Sequence, residues 1–100
     1  MGKKARVYQN GILAGILEKK ANDHYIFEYD FTYFHDHSKE PVSLTLPKSK
    51  RIHVSNHLFS YFYGLLAEGN LKALQCQKLK IDENDDFTRL IKTAHIDVIG

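Results

Sequence analysis

A strongly hydrophobic segment near the middle of the chain constrains the fold more than any other feature. It runs from Leu58 to Asn70. Read as a helix with 3.6 residues per turn, it places Leu58, Phe62, Leu65 and Leu66 on one apolar stripe, which three more aromatic residues widen: Phe59, Tyr61 and Tyr63. A helix that is apolar nearly all round must be covered on more than one side, and a chain of 100 residues has only a thin core. We therefore expect part of this helix to contact another molecule.

The composition predicts one small folded domain over residues 1–100. Hydrophobic residues make up 43% of the chain, and the net charge of +2 does not indicate a nucleic-acid-binding protein. No stretch approaches the roughly 18 apolar residues that a membrane span needs, and no signal peptide is recognisable. Cys76 is the single cysteine, so no internal disulfide can form. We therefore expect a cytoplasmic protein that does not contact membranes.

Three strands are predicted in the N-terminal third. Residues 5–9 and 12–18 flank Asn10-Gly11, a dipeptide that favours the type I′ turn of a β-hairpin. Residues 24–29 are rich in strand formers and alternate with period two, which puts three aromatic side chains on one side: Tyr25, Phe27 and Tyr29. This part of the chain predicts a three-stranded antiparallel meander.

A fourth strand is predicted at residues 41–47, where apolar and polar residues alternate between Pro41 and Pro47. Because proline cannot donate to a ladder, this would be a short edge strand, followed by a basic loop over residues 48–53. The complete prediction is an α+β fold, in which a small antiparallel sheet, made of the meander plus the edge strand, packs with about three helices.

Those three helices are predicted from caps and spacing. Ser55 or Asn56 would cap the aromatic helix, which would end near Gly69. A more polar helix would follow over residues 70–79, with Cys76 as a small filler. Asp85 or Asp86 would cap the third helix, whose apolar residues follow the i, i+3, i+4, i+7 pattern: Phe87, Leu90, Ile91 and Ala94. The closing residues 96–100 are strand-like.

Residues that could carry chemistry are sparse. His35 and His37, with Asp30 and Asp36 nearby, are too few and too closely spaced for a structural zinc site, and they are better explained as a solvated loop. Residues 82–86 resemble a calcium loop only faintly, because Phe87 replaces the required glycine, so a carboxylate-rich helix start is the better interpretation.

The remaining patterns predict no catalytic site. The basic run at residues 48–51 is short and fits a solvated loop better than a phosphate site. Gly11 and Gly15 do not form a phosphate-binding loop, and no serine or cysteine lies in a nucleophile motif. We therefore expect no catalytic residue, no metal and no cofactor. The chain is interpreted as a binding module.

Three segments, taken in order and spacing, carry a resemblance to a known family. They are the hairpin at residues 7–15, Pro41-Val-Ser-Leu-Thr-Leu-Pro47, and Phe62-Tyr-Gly-Leu-Leu-Ala-Glu-Gly69. Together they resemble the N-terminal subdomain of HipA-like serine/threonine kinases, the toxins of bacterial toxin–antitoxin systems. Asp85-Asp86-Phe87 and residues 97–100 match the rest of that subdomain, so the resemblance covers roughly residues 5–100.

Without a kinase lobe, the chain is similar to the HipS family, the small subunits of three-component HipBST systems. This resemblance implies a non-catalytic antitoxin that binds and inhibits a HipT-like kinase. A HipB-like DNA-binding protein would join through the complex, so DNA would be contacted at most indirectly. The alternative is a structural subunit that bridges the kinase to the HipB-like protein without inhibiting it.

The resemblance also implies which residues bind the kinase. A docked subdomain would lie beside the ATP site and place a bulky side chain in the cleft, and the chain has no tryptophan for this role. The predicted partner-binding residues are Tyr61, Phe62, Tyr63, Leu66, Glu68, Gly69 and Asn70. Alternatively, the four most apolar residues of this segment would fill the domain's own core: Phe59, Phe62, Leu65 and Leu66.

Two details of this segment lead to further expectations. Ala67 stands where the family usually has proline, which predicts that the aromatic helix runs further here. Gly64 costs about 1 kcal/mol in a helix relative to alanine, so we expect another element, either of this chain or of a partner, to approach it closely.

Overall fold

The computed structural model describes residues 3–21, 24–93 and 97–99, the last three by their backbone alone. In chain order the strands and helices are β1 Lys3–Gln9, β2 Ile12–Lys20, β3 His24–Tyr29, α1 Phe31–His35, β4 Ile52–Ser55, α2 Ser60–Tyr63, α3 Gly69–Leu79, α4 Asp86–Thr93 and β5 Asp97–Ile99. None of the helices in these ranges has the length and hydrophobicity required to cross a bilayer.

The strands form one antiparallel sheet in the order β4-β3-β2-β1-β5. This confirms the predicted α+β fold and its N-terminal meander. Asn10 and Gly11 have φ values of 52° and 79°, the two positive angles that a type I′ hairpin turn requires. The strand-like residues near the C-terminus return as β5 and pair with β1. Ile96 and Gly100, at the ends of that prediction, lie outside the described residues.

One face of the sheet carries the core. Tyr25, Phe27 and Tyr29 are buried on β3, as the alternation predicted, and the buried residues of the neighbouring strands include Ala5, Val7 and Leu17. Phe27 crosses over Gly15, where an added Cβ would lie 2.8 Å from the ring atom Cζ. The Glu28 carbonyl oxygen would lie closer still, at 2.5 Å, so glycine is required there by the approach of the neighbouring backbone as well as of the ring. On the opposite face, the residues between these positions are half-buried or exposed.

The predicted edge strand at residues 41–47 is wrong. These residues form a turn that lies on the aromatic core: Val42 and Leu46 are buried, whereas Leu44 between them is 95% exposed. The Tyr29 hydroxyl accepts a bond from the Val42 N–H and donates to the Leu46 carbonyl. These bonds replace strand pairing, so the alternating burial comes from a turn and not from a ladder.

The edge strand is instead β4, which pairs with β3. The prediction of a loop through His53 is therefore wrong at Ile52 and His53. The β-branched residues Ile52 and Val54 favour a strand here. His53 also makes a hydrogen bond of 2.9 Å between its Nε2 and the Pro47 carbonyl, which ties the preceding turn to the sheet.

The aromatic helix is much shorter than predicted. It covers only Ser60–Tyr63, and its N-cap is Phe59 without a side-chain bond, so neither Ser55 nor Asn56 caps it. The backbone continues through a turn, with Leu66 N–H donating to the Tyr63 carbonyl. Gly69 does not end this helix. It begins α3, with a φ of 60°.

Two further expectations concern Gly64 and Ala67. Among the described residues, a Cβ at Gly64 would meet only the Ser60 and Tyr61 carbonyl oxygens, at 3.4 and 3.5 Å, so no other element of the domain approaches it closely. Close approach of a partner to Gly64 stays a prediction. Gly64 is the C-cap of α2. The helix does not run further at Ala67, whose carbonyl is bound by a side chain from α4.

The other two helices lie close to their predicted bounds. In α3, Cys76 is buried as a small filler, whereas Leu71 and Leu74 are exposed. Asp85 caps α4, with its carboxylate accepting bonds from the Thr88 N–H at 3.1 Å and the Thr88 hydroxyl at 2.7 Å. Phe87 and Leu90 are buried, as predicted. Ala94, which the spacing placed on the same stripe, lies outside the described residues.

Candidate partner-binding surface

The segment that joins α2 to α3 divides its hydrophobic residues between two sides. Phe62 and Leu66, four residues apart, point into the core. The Phe62 ring lies 5.7 Å from that of Phe27 and 5.1 Å from that of Tyr61, measured between centroids. Phe62 is fully buried and Leu66 is 7% exposed, so both side chains fill the domain's own interior. The predicted role of these two residues in partner binding has no exposed side chain to support it.

The other side of the same segment is apolar and exposed to solvent. Tyr63 and Leu65 are 49% and 46% exposed, and on α3 Leu71 and Leu74 are 56% and 61% exposed. We call these four residues the 63–74 surface. Single exposed hydrophobic residues are ordinary in proteins, whereas contiguous apolar patches mark interaction sites. Four such residues within twelve consecutive positions make this stretch the candidate for a patch of that kind.

A cleft of about 230 Å³ lies beside this surface. Four of the predicted partner-binding residues line it, which are Tyr63, Leu66, Glu68 and Gly69, and the remaining lining residues are Ala67, Lys72 and Arg89. Asn70 follows them in the first turn of α3 and is exposed, and Tyr61 is half-buried against the core. The structure therefore brings most of the predicted residues to one place, with Tyr63 as their exposed aromatic side chain.

Arg89 fixes the wall of this cleft. Its guanidinium is 4% exposed, and it donates to the Ala67 carbonyl at 2.7 Å through Nη2 and to Asp86 Oδ1 at 3.1 Å through Nη1. These charge-assisted bonds tie the turn before α3 to α4. Arg89 was not among the residues predicted from the sequence. The Asp86–Arg89 spacing of i, i+3 was the available signal, but it indicates an ion pair and not the contact with Ala67.

A second cleft, of about 500 Å³, is also lined by Tyr63. It lies between the end of β2, the start of β3, the residues after β4 and the start of α4, and it has these lining residues: Lys19, Tyr25, Asn56, His57, Leu58, Tyr63, Asn84 and Asp86. Tyr63 thus lines both clefts. A partner that covers this tyrosine would therefore contact the rims of both clefts.

The loop that contains His35 and His37 is held by contacts within the domain. His35 packs against the Phe31 ring at 4.3 Å, and Asp36 accepts bonds from the Ser38 N–H and hydroxyl at 3.0 and 2.6 Å. Those bonds hold the pKa of the Asp36 carboxyl below its usual value. Within the part of the chain that the structure describes, no cluster of three or more histidine, cysteine or acidic residues has metal-binding geometry.

Two residues of the basic run are also engaged within the domain. Lys48 donates through Nζ to the Asp36 and Lys39 carbonyls at 2.7 and 2.8 Å, and Arg51 forms an ion pair of 2.9 Å with Glu28. The run is therefore not a free phosphate-binding loop. The acidic run at residues 82–86 does start a helix, as predicted, because Asp85 caps α4. Partial burial disfavours ionisation of Asp85, but the bonds from Thr88 outweigh it and lower its pKa.

A tyrosine pair supports the turn at residues 41–47 from below. The Tyr29 and Tyr33 rings stack at 5.9 Å, and the Tyr33 hydroxyl donates to the Glu40 carbonyl. Burial raises the pKa of both hydroxyls, so they stay protonated as hydrogen-bond donors at neutral pH. Their role is to hold the turn on the core.

Comparisons with known proteins agree with this architecture. The family model described as "HipA N-terminal domain" matches residues 5–100. An uncharacterized protein of Haemophilus influenzae is 34% identical over 92 residues, which is 92% of this chain and 82% of that protein. The relative is thus only slightly longer than this chain. On the match over residues 5–100, the chain belongs to the HipA N-terminal domain family.

Proposed function

We propose that this chain is a non-catalytic, cytoplasmic subunit of a toxin–antitoxin system that binds a HipA/HipT-like serine/threonine kinase and inhibits it, as HipS-type antitoxins do. Family membership gives the toxin–antitoxin context. The short relative supports a subdomain that occurs apart from a kinase lobe. The observation that carries the proposal is the 63–74 surface, whose hydrophobic side chains the domain leaves uncovered.

The geometry favours Tyr63 as the anchor of this interface. Tyrosine is enriched among residues that dominate binding energy, because it combines a large apolar ring with a hydroxyl. Tyr63 lines both clefts and lies next to the turn at residues 68–70, which is exposed. An interface of standard size would bury on the order of 1,600 Å² in total, so the 63–74 surface would form its centre and polar neighbours its rim.

The test is to mix the purified chain with its cognate kinase and to measure association and autophosphorylation. We expect a stable complex and suppressed phosphoryl transfer. Tyr63→Ala and Leu74→Ser should each weaken the complex at least about tenfold, as expected for central residues. Leu44→Ser is the matched control, since Leu44 is an exposed leucine on the turn at residues 41–47.

Two outcomes would count against the proposal in different ways. Full kinase activity in the presence of a bound molar excess would reject inhibition and leave binding intact. Equal affinity of the Leu74→Ser and Leu44→Ser variants would reject the 63–74 surface as the binding site.

A structural subunit that bridges the kinase to a HipB-like protein on DNA remains the alternative. It predicts tighter operator binding by the assembly, with a salt dependence that changes when Lys48, Lys50 and Arg51 are replaced. Lys48 and Arg51 make intramolecular contacts, so only Lys50 of the three is left exposed without a contact role in the described part of the chain. This arrangement leaves little free positive charge in the run for direct contact with DNA.

A further inference from the structure

The terminal strand β4 has an unused edge. In the described part of the chain it pairs with β3 alone. The Tyr29 N–H donates to the Arg51 carbonyl at 2.9 Å, and the same register sets Phe27 opposite His53. The backbone groups of Arg51 and His53 therefore face β3. Because this direction alternates along a strand, the N–H and C=O groups of Ile52 and Val54 face away from the sheet.

Three common devices against strand pairing are absent from this edge. Edge strands are often protected by proline, lysine or a bulge, and the sequence Ile52–Ser55 contains none of them, although at four residues the strand is short. Ile52 and Val54 are 44% and 56% exposed on the uncovered face of the sheet. The strand thus offers both free backbone groups and apolar side chains to an incoming strand.

The geometry points to a second copy of this chain as the occupant, and we propose that two β4 strands pair antiparallel about a two-fold axis centred on His53. In that register Ile52 of each copy lies opposite Val54 of the other. Both residues have outward-facing backbone groups, so each pair exchanges two hydrogen bonds, about four in total. Both side chains lie on the same face, so each isoleucine packs against a valine.

Neighbouring registers fit less well. Centring the axis on Val54 would set Ile52 opposite Asn56, and centring it on Ile52 would set Val54 opposite Lys50. The register centred on His53 sets the apolar Ile52 opposite the apolar Val54, and it sets Arg51 opposite Ser55. It therefore opposes no two like-charged lysine, arginine or carboxylate side chains across the axis. The two sheets would join into one continuous sheet, with Ile26 of each copy extending the apolar band.

This inference does not rest on the proposed function, because β4 and the 63–74 surface are different parts of the molecule. The paired edges are short, so the interface is at the small end of specific contacts. We expect a dimer with a dissociation constant on the order of 10⁻⁴ M, measured by sedimentation of the full chain across a concentration series.

Val54→Pro is the sharpest variant, since it removes an N–H that faces outward and leaves the ladder with β3 intact. It should weaken dimerisation at least about tenfold with an unchanged thermal midpoint. Val54→Thr, which keeps the N–H and the β-branched shape, is the matched control and should still dimerise. A wild-type chain that stays monomeric to about 1 mM, or a Val54→Pro variant that dimerises as well as wild type, would overturn the proposal.

Cysteine scanning tests the register itself. In this register the His53 residues of the two copies lie opposite each other as a non-hydrogen-bonded pair. The Cα atoms of such a pair lie about 4.5 Å apart, which is within disulfide range. His53→Cys should therefore form a covalent dimer under mild oxidation, and Ile52→Cys should do so much more slowly. Cys76 is buried, so it contributes little background. Faster crosslinking of Ile52→Cys than of His53→Cys would reject this register.

Discussion

Helices α3 and α4 follow one another in the chain, yet they have opposite relations to the core. The eleven residues of α3 bury Cys76 alone, whereas the eight residues of α4 bury Phe87, Arg89 and Leu90. In α4 the apolar residues repeat at helical spacing and form one face. In α3, Leu71 and Leu74 do not lie on the same side of the helix as Cys76. Burying the side that carries Cys76 therefore leaves both leucines exposed.

This difference shows that a segment can form a helix without contributing side chains to the core. The C-terminus of α3 is satisfied locally: Lys80 has a left-handed φ of 57°, and the Ile81 N–H donates to the Cys76 carbonyl at 2.9 Å. Such caps stabilise a helix without packing it deeply. We therefore interpret α4 as scaffold and α3 as a displayed surface, and the following predictions test that contrast.

The largest effect is expected from truncating the core face of α4. Leu90→Ala should lower the free energy of unfolding by about 2–5 kcal/mol, because it leaves a cavity under the sheet. Leu74→Ala, the same truncation on α3, should change it by less than about 0.5 kcal/mol. Urea unfolding of both variants measures the contrast, and similar losses in the two would break it.

The link between the helices should have the next largest effect. Arg89→Ala removes two charge-assisted bonds and leaves the Ala67 carbonyl without its partner, so we expect a loss of about 1.5–3 kcal/mol. Amide exchange in α3 should also accelerate, because the turn before it is released. Lys92→Ala, an exposed cation on the same helix, is the control and should leave both measurements near wild type.

Removing the cap of α4 should cost less and should depend on pH. Asp85→Ala is expected to lower the free energy of unfolding by about 1 kcal/mol near pH 7. The folded-state pKa of Asp85 lies below its ordinary value of 3.8, so ionisation stabilises the fold above pH 3.8 and this contribution is lost as the pH falls through the folded pKa.

Unfolding curves of wild type and Asp85→Ala should therefore differ by a constant amount at neutral pH and converge in acid. Glu83→Ala, a neighbouring exposed carboxylate, is the control. A difference between wild type and Asp85→Ala that grows on acidification would contradict the assigned role of the cap.

The smallest effect on stability is expected from making α3 more polar. Leu71→Lys should move the free energy of unfolding by no more than about 0.5 kcal/mol in either direction, since the side chain is exposed. The measurement is the urea midpoint. A loss as large as that of Leu90→Ala would mean that α3 packs far more tightly than its exposed leucines indicate.

The predictions from sequence succeeded where a local pattern specifies a local conformation. Asn10-Gly11 and its flanking alternation indicated the hairpin, and the spacing of Phe87, Leu90 and Ile91 indicated α4. They failed at residues 41–47, where the alternation is real but results from a turn. The Tyr29 hydroxyl that holds this turn comes from a distant strand, so no local pattern could reveal it.

For the candidate site, the sequence indicated a segment but not which of its side chains face outward. Four of the seven predicted partner-binding residues line the cleft beside Tyr63, and their role in binding stays a prediction. Which side faces outward could not be predicted, because Phe62 and Leu66 are as hydrophobic as the exposed Leu65. The role of Arg89 depends on a carbonyl 22 residues away in the chain.

By itself, the amino-acid sequence determined the meander, the type I′ turn, the acidic cap of α4 and the family resemblance. These depend on backbone preferences and on short-range hydrogen bonds, which neighbouring residues dictate. Only the tertiary structure decided which hydrophobic side chains are covered. Burial depends on what elements far apart in the chain bring against each side chain, and here they cover Phe62 and leave Tyr63 to the solvent.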